Sequence, residues 1–471
     1  MNIVTHREIP ENNFLREGWN LLAEKMQPAE IFYTHEWALA VARAYSNSRS
    51  PLLVLGYTNG VLVGVAALAV CDNQRVEFLN ANTADYCDFI SSPDNCEQFA
   101  SRAFEEIHAM GMQSIVLANL PSDSRTATML CEAARDGGFY TFSQKAYDCC
   151  QVELATPLQR EFVRRSLAEK KGVRRDAAAL SRLGELKLEH HRHLEDVTHL
   201  LPEFYRAHVA RFLDKGGISN IARPQRRAFL SELARLLSDV GAIRLTSLAV
   251  GERKIAWNYG FEFAGSWFWY QPTFDTALSK YFPGFCLLTM LVAEAAGNEN
   301  IQRVDLGLGE ERYKARLATA HRETLHVTLS RSYSSYLKTS LRASVIKRVK
   351  QRPKLERILR RIVRPGRGSQ DRKSAIADLS EWKRPDAGDN SDKATSVKPL
   401  TLDLLARVIM RYVEDAKTVD YVLNAASRLK SSAPVGFAAV DEEGMPLKIF
   451  WIAQCDKAAK GNIQSLQEAK I

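Results

Sequence analysis

The chain has 471 residues, 46% of them hydrophobic and 25% charged, with a formal net charge of +9. That is apolar content enough for several cores and a length that points to two or three domains. No run of about 18 apolar residues occurs, and residues 1–10 lack a basic stretch followed by an apolar one, so the sequence predicts neither a membrane span nor a secretory signal. A cytoplasmic location is the expectation. Eight cysteines lie singly except for Cys149-Cys150, with no C-x-x-C pair and no histidines at zinc intervals, which argues for packed, reduced thiols and no metal site. The charge is uneven: residues 331–373 hold fifteen Lys and Arg against Glu356 and Asp371, a local +13 that leaves −4 for the rest. A basic balance confined to one segment is not evidence that the whole chain binds nucleic acid.

Thr34 is placed to cap a helix over residues 34–45. Residues 51–70 read as two apolar runs around Thr58-Asn59-Gly60, a hairpin signal because both central residues must accept positive φ. A short strand over 85–90, a helix over 95–110, a strand over 114–120, a helix over 126–136 ended by Gly137-Gly138 and a strand over 148–154 follow. Beyond Leu154 the order recurs. Helices cover 157–183, interrupted near Gly172, then 194–213 and 228–240. Strands cover 243–250, 254–263 and 266–271, followed by a helix over 285–296, a strand over 302–306, a short helix over 311–318 and a strand over 323–330. The simplest account is an internal duplication of about 150 residues. His190, His191 and His193, with mixed spacing after a charged helix, read as a solvated linker instead of a metal site.

Residues 331–364 read as two basic amphipathic helices split by Pro353, forming a solvated surface pair or docking to an anionic membrane surface. Residues 366–397 read as a linker. A helical stretch over 402–429 and a hairpin over 436–453, around Asp441-Glu-Glu-Gly444, look like a third copy that stops early.

Candidate chemistry concentrates in residues 269–314. Pro283-Gly284 opens a helix whose N-terminal N–H groups make a phosphate cradle or only a helix start, with Lys280 before it and Phe285 and Cys286 after it. Asp305 ends a strand, Gly307 and Gly309 permit close backbone approach, and Glu311, Tyr313 and Lys314 follow. Asp305 or Glu311 could accept a proton from an incoming hydroxyl or amine, or this is a tight turn with an Asp cap. Upstream, Tyr205, His208 and Arg211 fall on one helical face, His208 as a base or a structural histidine and Arg211 as a carboxylate or phosphate partner.

In their order, Phe204-Tyr-Arg-Ala-His208, Tyr270, Phe274-Asp275, Pro283-Gly284 and Asp305…Gly309-Glu-Glu311-Arg-Tyr313-Lys314 resemble GNAT-fold acyltransferases of the cellulose-biosynthesis (CelD-like) type, relatives of the FemAB aminoacyltransferases. The resemblance covers about residues 32–330. It implies an α/β (α+β) chain of tandem GNAT-like domains with mixed, mostly antiparallel sheets flanked by helices, at 1–155 and 156–330. A basic helix and linker segment at 331–400 and a partial GNAT-like or small α/β extension at 401–471 lie outside it. It also implies acetyl-CoA or another acyl-CoA as donor and a saccharide or amine acceptor in cell-envelope polysaccharide synthesis; the expected location is cytoplasmic, with peripheral association at the inner face of the membrane as a further expectation. On this reading Asp305, Glu311 or His208 is the base. Arg211, Tyr270, Asp275, Tyr313 and Lys314 contact the acceptor or leaving group, and Lys280, Pro283, Gly284, Phe285 and Cys286 line the donor. Phe282 departs from the small hydroxyl residue the family often has before Pro-Gly, and the first copy keeps Asp85-Tyr86 but lacks the Pro-Gly and Tyr-Lys elements. Two rivals are aminoacyl-tRNA as donor, held by residues 331–373 with only Tyr333 and Tyr336 interleaved, and a non-catalytic scaffold of envelope assembly.

Overall fold

The computed structural model describes residues 1–71, 74–350, 381–386, 394–431 and 435–452. It divides into two compact units, one of Met1–Thr198, Ala228–Pro272 and Lys280–Pro353, the other of His199–Arg227, Thr273–Ser279 and Lys354–Ile471.

The first unit begins with β1 (Asn2–His6) and α1 (Asn13–Lys25), neither of which the hydrophobic pattern announces. Thr34 caps α2 (His35–Ala44) by accepting from Trp37 N, as its position predicts. β2 (Ser50–Thr58) and β3 (Val61–Cys71) form the expected hairpin, with Asn59 and Gly60 at φ 52° and 80°. β4 (Arg75–Phe78) comes next. Residues 85–89 are irregular chain, not the expected strand, and only β5 (Ile90–Ser91) pairs there, because Asp85, Tyr86 and Asp88 turn inward to polar partners. α3 (Cys96–Ala109), β6 (Ser114–Pro121), α4 (Arg125–Asp136) and β7 (Tyr140–Glu153) complete the first pass.

The second pass runs α5 (Pro157–Glu169), α6 (Lys171–Ser181), β8 (Leu186–His191), α7 (Leu194–Asp214), α8 (Pro224–Asp239), β9 (Ile243–Val250), β10 (Arg253–Phe263), β11 (Ser266–Phe274), α9 (Pro283–Gly297), β12 (Arg303–Leu308), α10 (Arg312–Ala315) and β13 (Ala320–Ser330). His190 and His191 correct the linker reading. They sit on β8, where His190 bridges Thr246 Oγ1 at 3.0 Å and Glu294 Oε2 at 2.9 Å and its ring meets Trp267 edge-on. α11 (Tyr333–Lys350) covers the first basic helix; the second, over 355–362, lies outside the described residues.

These strands form one mixed sheet in the order β1-β2-β3-β4-β6-β13-β7-β12-β11-β10-β9-β8, with β5 beside β3. The closing strands are exchanged. β7 belongs to the first pass yet pairs with β12 and β13, and β13 belongs to the second yet pairs with β6 and β7. Segments 1–155 and 156–330 therefore share a single sheet.

Aromatic packing crosses the same join: Trp37, fully buried, meets Phe229, Phe261 and Tyr270 at ring distances of 5.3–5.6 Å, and Phe32 meets Phe268 at 5.5 Å. At the exchange Glu30, wholly buried, accepts from Arg303 on β12 at 3.1 Å and Arg322 on β13 at 2.8 Å. Burial pushes the Glu30 carboxyl up to about 7 against the pull of both guanidinium groups.

In the second unit, β14 (Trp382–Lys383), β15 (Ser396–Pro399), β16 (Val435–Val440) and β17 (Pro446–Ile452) form an antiparallel sheet in the order β14-β17-β16-β15. Between β15 and β16 lie α12 (Leu402–Arg411), capped by Thr401, and α13 (Ala416–Arg428), capped by Asp415. The order strand, helix, helix, strand, strand, with the outer strand beside the next two, is the one that opens at β1 and again at β8.

Fragments cut between β7 and α5 lack partners for their closing strands, so each expressed alone is expected to be insoluble or unfolded by circular dichroism, while co-expression yields a soluble pair. Glu30→Ala leaves two buried guanidinium groups without their carboxylate and should cost about 3–5 kcal/mol in urea unfolding. Because the folded Glu30 pKa is raised from 4.5 to about 7, its favourable contribution is complete below 4.5 and is lost as pH rises through 7. The stability of Glu30→Gln relative to the parent should therefore improve over that interval.

Candidate functional site

The end of the second repeat that holds the candidate residues is built by a parallel pair that opens. β11 and β12 pair only at Ser266 with Arg303, Trp267 with Val304 and Phe268 with Asp305, and beyond that no ladder joins them. The first repeat does the same, β4 pairing with β6 from Arg75–Ser114 to Glu77–Val116. Strands that part after a parallel start leave backbone N–H and C=O groups facing a gap, where an extended ligand can complete the ladder.

Asp305 stands where the gap starts. It is 1% exposed and takes three donors: the Tyr86 hydroxyl at 3.0 Å and Gln151 Nε2 at 2.7 Å on Oδ2, and Gly307 N at 2.8 Å on Oδ1. Two of those come from the first repeat. The geometry fits a carboxylate that holds the turn, with both oxygens engaged. Gly307 bulges out of the β12–β7 ladder at φ 72°, and a Cβ there would lie 2.6 Å from Asp85 Oδ2 and 3.5 Å from the Trp269 carbonyl. Asp85, also from the first repeat, is thus seated against the glycine turn, and no side chain larger than hydrogen fits between them.

Lys314, 5% exposed, donates to the Leu308 carbonyl at 2.7 Å and pairs with Glu311 Oε2 at 2.8 Å. Burial opposes its charge, but Tyr313, Glu311 and Asp85 together hold its pKa above the ordinary lysine value, so it is a fixed ammonium. Glu311 is 56% exposed and precedes the short α10. Tyr270 is buried, and its hydroxyl donates to the Thr83 carbonyl of the first repeat.

Pro283 occupies the first turn of α9, preceded by Phe282 in the left-handed region at φ 53° with no side-chain cap. Phe282 is 55% exposed, so the position that often holds a hydroxyl residue presents an aromatic ring instead. Lys280 lies over Tyr281, and the Arg316 guanidinium lies 4.6 Å from the Phe285 ring. Cys286 is buried inside α9, its thiol pushed up to about 12 by burial; Cys149 and Cys150 are raised for the same reason. None of the three is a thiolate nucleophile at neutral pH.

The structure groups His208, Arg211 and Asp275 in the second unit. His208 is buried, with Nδ1 2.9 Å from Ser219 Oγ and its ring stacked on Phe212. Arg211 lies over Phe212 and Phe274, and Asp275 accepts from Ala277 N at 2.9 Å. Sequence reasoning missed Glu30, Gln151 and Arg322 altogether. It noted Asp85-Tyr86 only as a remnant of the repeat, though their place at the corresponding strand end was the available signal.

Residues 168–315 match the family model described as the acetyltransferase (GNAT) domain. The chain thus carries a GNAT-type acyltransferase domain over these residues. Among solved structures, FemX is similar at 10% identity, covering 69% of this chain and 97% of its own, with a TM-score of 0.48. The C-terminal domain of a putative lysylphosphatidylglycerol synthetase from Agrobacterium fabrum is similar at 10% identity over 70% and 95%, with a TM-score of 0.43. A tandem GNAT protein from the clavulanic acid biosynthesis pathway is similar at 12% identity over 69% and 97%, with a TM-score of 0.39. No curated protein sequence matches the chain.

Gly307→Ala combines a left-handed backbone with a Cβ against the Asp85 carboxylate, and should cost about 1–3 kcal/mol in thermal or urea unfolding. Removing the carboxylate in Asp85→Ala/Gly307→Ala should recover part of that loss. Strictly additive single-variant energies would show that the two residues do not meet.

Proposed function

We propose that the protein transfers an acyl group, an acetyl group first among the candidates, from acyl-CoA to an amine or hydroxyl by direct attack. The observation that carries this reading is the opening of β11 from β12 inside the segment matching the GNAT model. The residues there suit such a donor. Free strand edges can pair with its amide-bearing arm, the α9 start offers the Gly284 N–H and a positive helix end to phosphate, the Phe285 and Cys286 N–H groups being taken by the Phe282 carbonyl, and Lys280 and Arg316 supply cations.

The donor supplies an activated thioester: the new bond forms at its carbonyl carbon, the carbon–sulfur bond breaks, and the thiol departs. The protein holds the reactants and moves the acceptor's proton. Asp305 fixes the Gly307 turn, and Lys314 fixes the 308–311 loop by its bond to Leu308 O and its pair with Glu311. Glu311, the exposed carboxylate of this group, is the proposed base, since Asp305 already accepts three protein donors. The buried, protonated cysteines favour attack without an acyl-enzyme. Asp85 and Thr83 bring the first repeat to the acceptor side. The acceptor class, a saccharide or amine of the cell envelope, rests on the resemblance of the motifs. Among the described residues no helix is long and apolar enough to cross a membrane.

Calorimetry with acetyl-CoA, followed by release of free thiol in the presence of amino sugars, neutral sugars and simple amines, tests this. The expected result is donor binding and acceptor-dependent thiol release. Glu311→Gln should lower kcat by about 10²–10⁴-fold with little change in donor affinity. Full turnover in Glu311→Gln removes it as base. Failure of acetyl-CoA and longer acyl-CoAs to bind folded protein overturns the reading, and transfer from aminoacyl-tRNA alone would replace it.

A further inference from the structure

Leu158, 80% exposed, and Phe162, 62% exposed, stand one turn apart on α5. The helix that carries them is well fixed. Pro157 opens it, Thr156 and Gln159 close a capping box around its first turn, and Val163 and Leu167 are buried on its inner side. Arg160, buried beside them, donates to the Asn298 and Ile301 carbonyls at 2.7 Å each, just past the end of α9. With that side committed, the stripe of Leu158, Phe162 and Arg165 is turned to solvent. Both apolar side chains line an open groove with Glu153, Gln159 and Thr319.

The charge around this stripe is one-sided. Residues 157–183 hold eight Lys and Arg against three acidic residues, and of the eight only Arg160 is buried. Beyond the α5–α6 join, Lys171, Arg174 and Arg175 form an exposed stripe of α6. Arg164 and Arg165 reach Glu161 only at 3.8 Å, and among the described residues Lys171 and Arg174 have no carboxylate partner. At the join itself Lys170 stands beside Arg316. Burial, and then the Arg316 charge, pull the Lys170 ammonium below the ordinary lysine value against Glu169. Cations held together in this way repel one another, and a negative surface relieves that repulsion.

Area and composition select the partner. A stable protein contact removes about 1,200 Å² or more from water and is poor in Lys at its core, whereas two apolar side chains ringed by cations supply a small part of that area. A lipid surface asks less, since shallow entry of a few large apolar side chains combines with attraction between cations and lipid phosphates. We propose that the outward face of α5 and α6 docks on an anionic lipid bilayer, with Leu158 and Phe162 entering the headgroup layer and Arg165, Lys171 and Arg174 meeting lipid phosphates. This surface is distinct in sequence from the basic segment 331–373, and it rests on no part of the acyl-transfer reading.

Co-sedimentation of the full chain with vesicles of phosphatidylcholine alone, and of phosphatidylcholine mixed equally with phosphatidylglycerol, tests this. The protein should pellet with the mixed vesicles, far less with the neutral ones, and be released as salt is raised. Leu158→Ser/Phe162→Ser and, separately, Lys171→Glu/Arg174→Glu should each weaken partitioning about tenfold with melting temperature retained, because all four side chains are exposed. Should either pair fail to fold, Phe162→Trp still decides: brominated lipid in the mixed vesicles should quench the emission that this variant adds to the parent's. Absence of binding to the mixed vesicles overturns the proposal. Full binding by both double variants, or an added tryptophan that stays unquenched, overturns it by assigning lipid binding to another surface such as 331–373. Self-association without lipid that Leu158→Ser/Phe162→Ser abolishes overturns it in favour of a second copy of this chain. Because no acyl donor is present, none of these results touches the transfer reaction.

Discussion

The exchange of closing strands is the constraint on which the first unit rests. β7 has both its neighbours in the second repeat, and β13 has both of its in the first. Neither repeat can satisfy the backbone groups of its own last strand, so the two halves fold as one sheet or leave long edges open. The exchange also decides what is buried. It brings Arg303 and Arg322 inward on adjacent parts of the sheet, where two guanidinium groups without an anion would be untenable, and Glu30 supplies the anion from a loop of the other repeat.

The same join builds the candidate site. Asp305 alone would be a carboxylate at a strand end; Tyr86 and Gln151, both from the first repeat, turn it into a fixed element of the Gly307 turn. Asp85 fills the space that the glycine leaves, and Thr83 receives the Tyr270 hydroxyl. One repeat provides the opened strand pair and the other the polar wall beside it. That division gives the first repeat a role although it lacks the Pro-Gly helix start and the Tyr-Lys ending.

Much of this architecture was legible in the residues. The Asn59-Gly60 turn, the Thr34 cap and the periodic runs of the second repeat report local physics, in which one or two residues determine a dihedral angle or satisfy an orphan N–H. Edge strands were harder. β1 and β8 carry polar, half-buried residues because one side faces solvent, and His190-His191 looked like linker although Thr246, Glu294 and Trp267 receive them. Residues 85–89 failed in the opposite sense: Tyr86, Cys87 and Phe89 are as apolar as a strand, but their neighbours Asp85 and Asp88 have polar partners that a regular ladder would not permit.

The sequence by itself determined the doubled order of elements, the opening motif of α9 and the Asp305–Lys314 turn, since each depends on contacts a few residues apart. Only the tertiary structure decided that the repeats exchange their last strands, that Asp305 is held by Tyr86 and Gln151, and that Glu30 is buried between Arg303 and Arg322. Those facts depend on partners up to 292 positions apart, as in the Glu30–Arg322 pair. No local pattern encodes such a pairing, because a buried ion pair selects its partners by where the sheet places them.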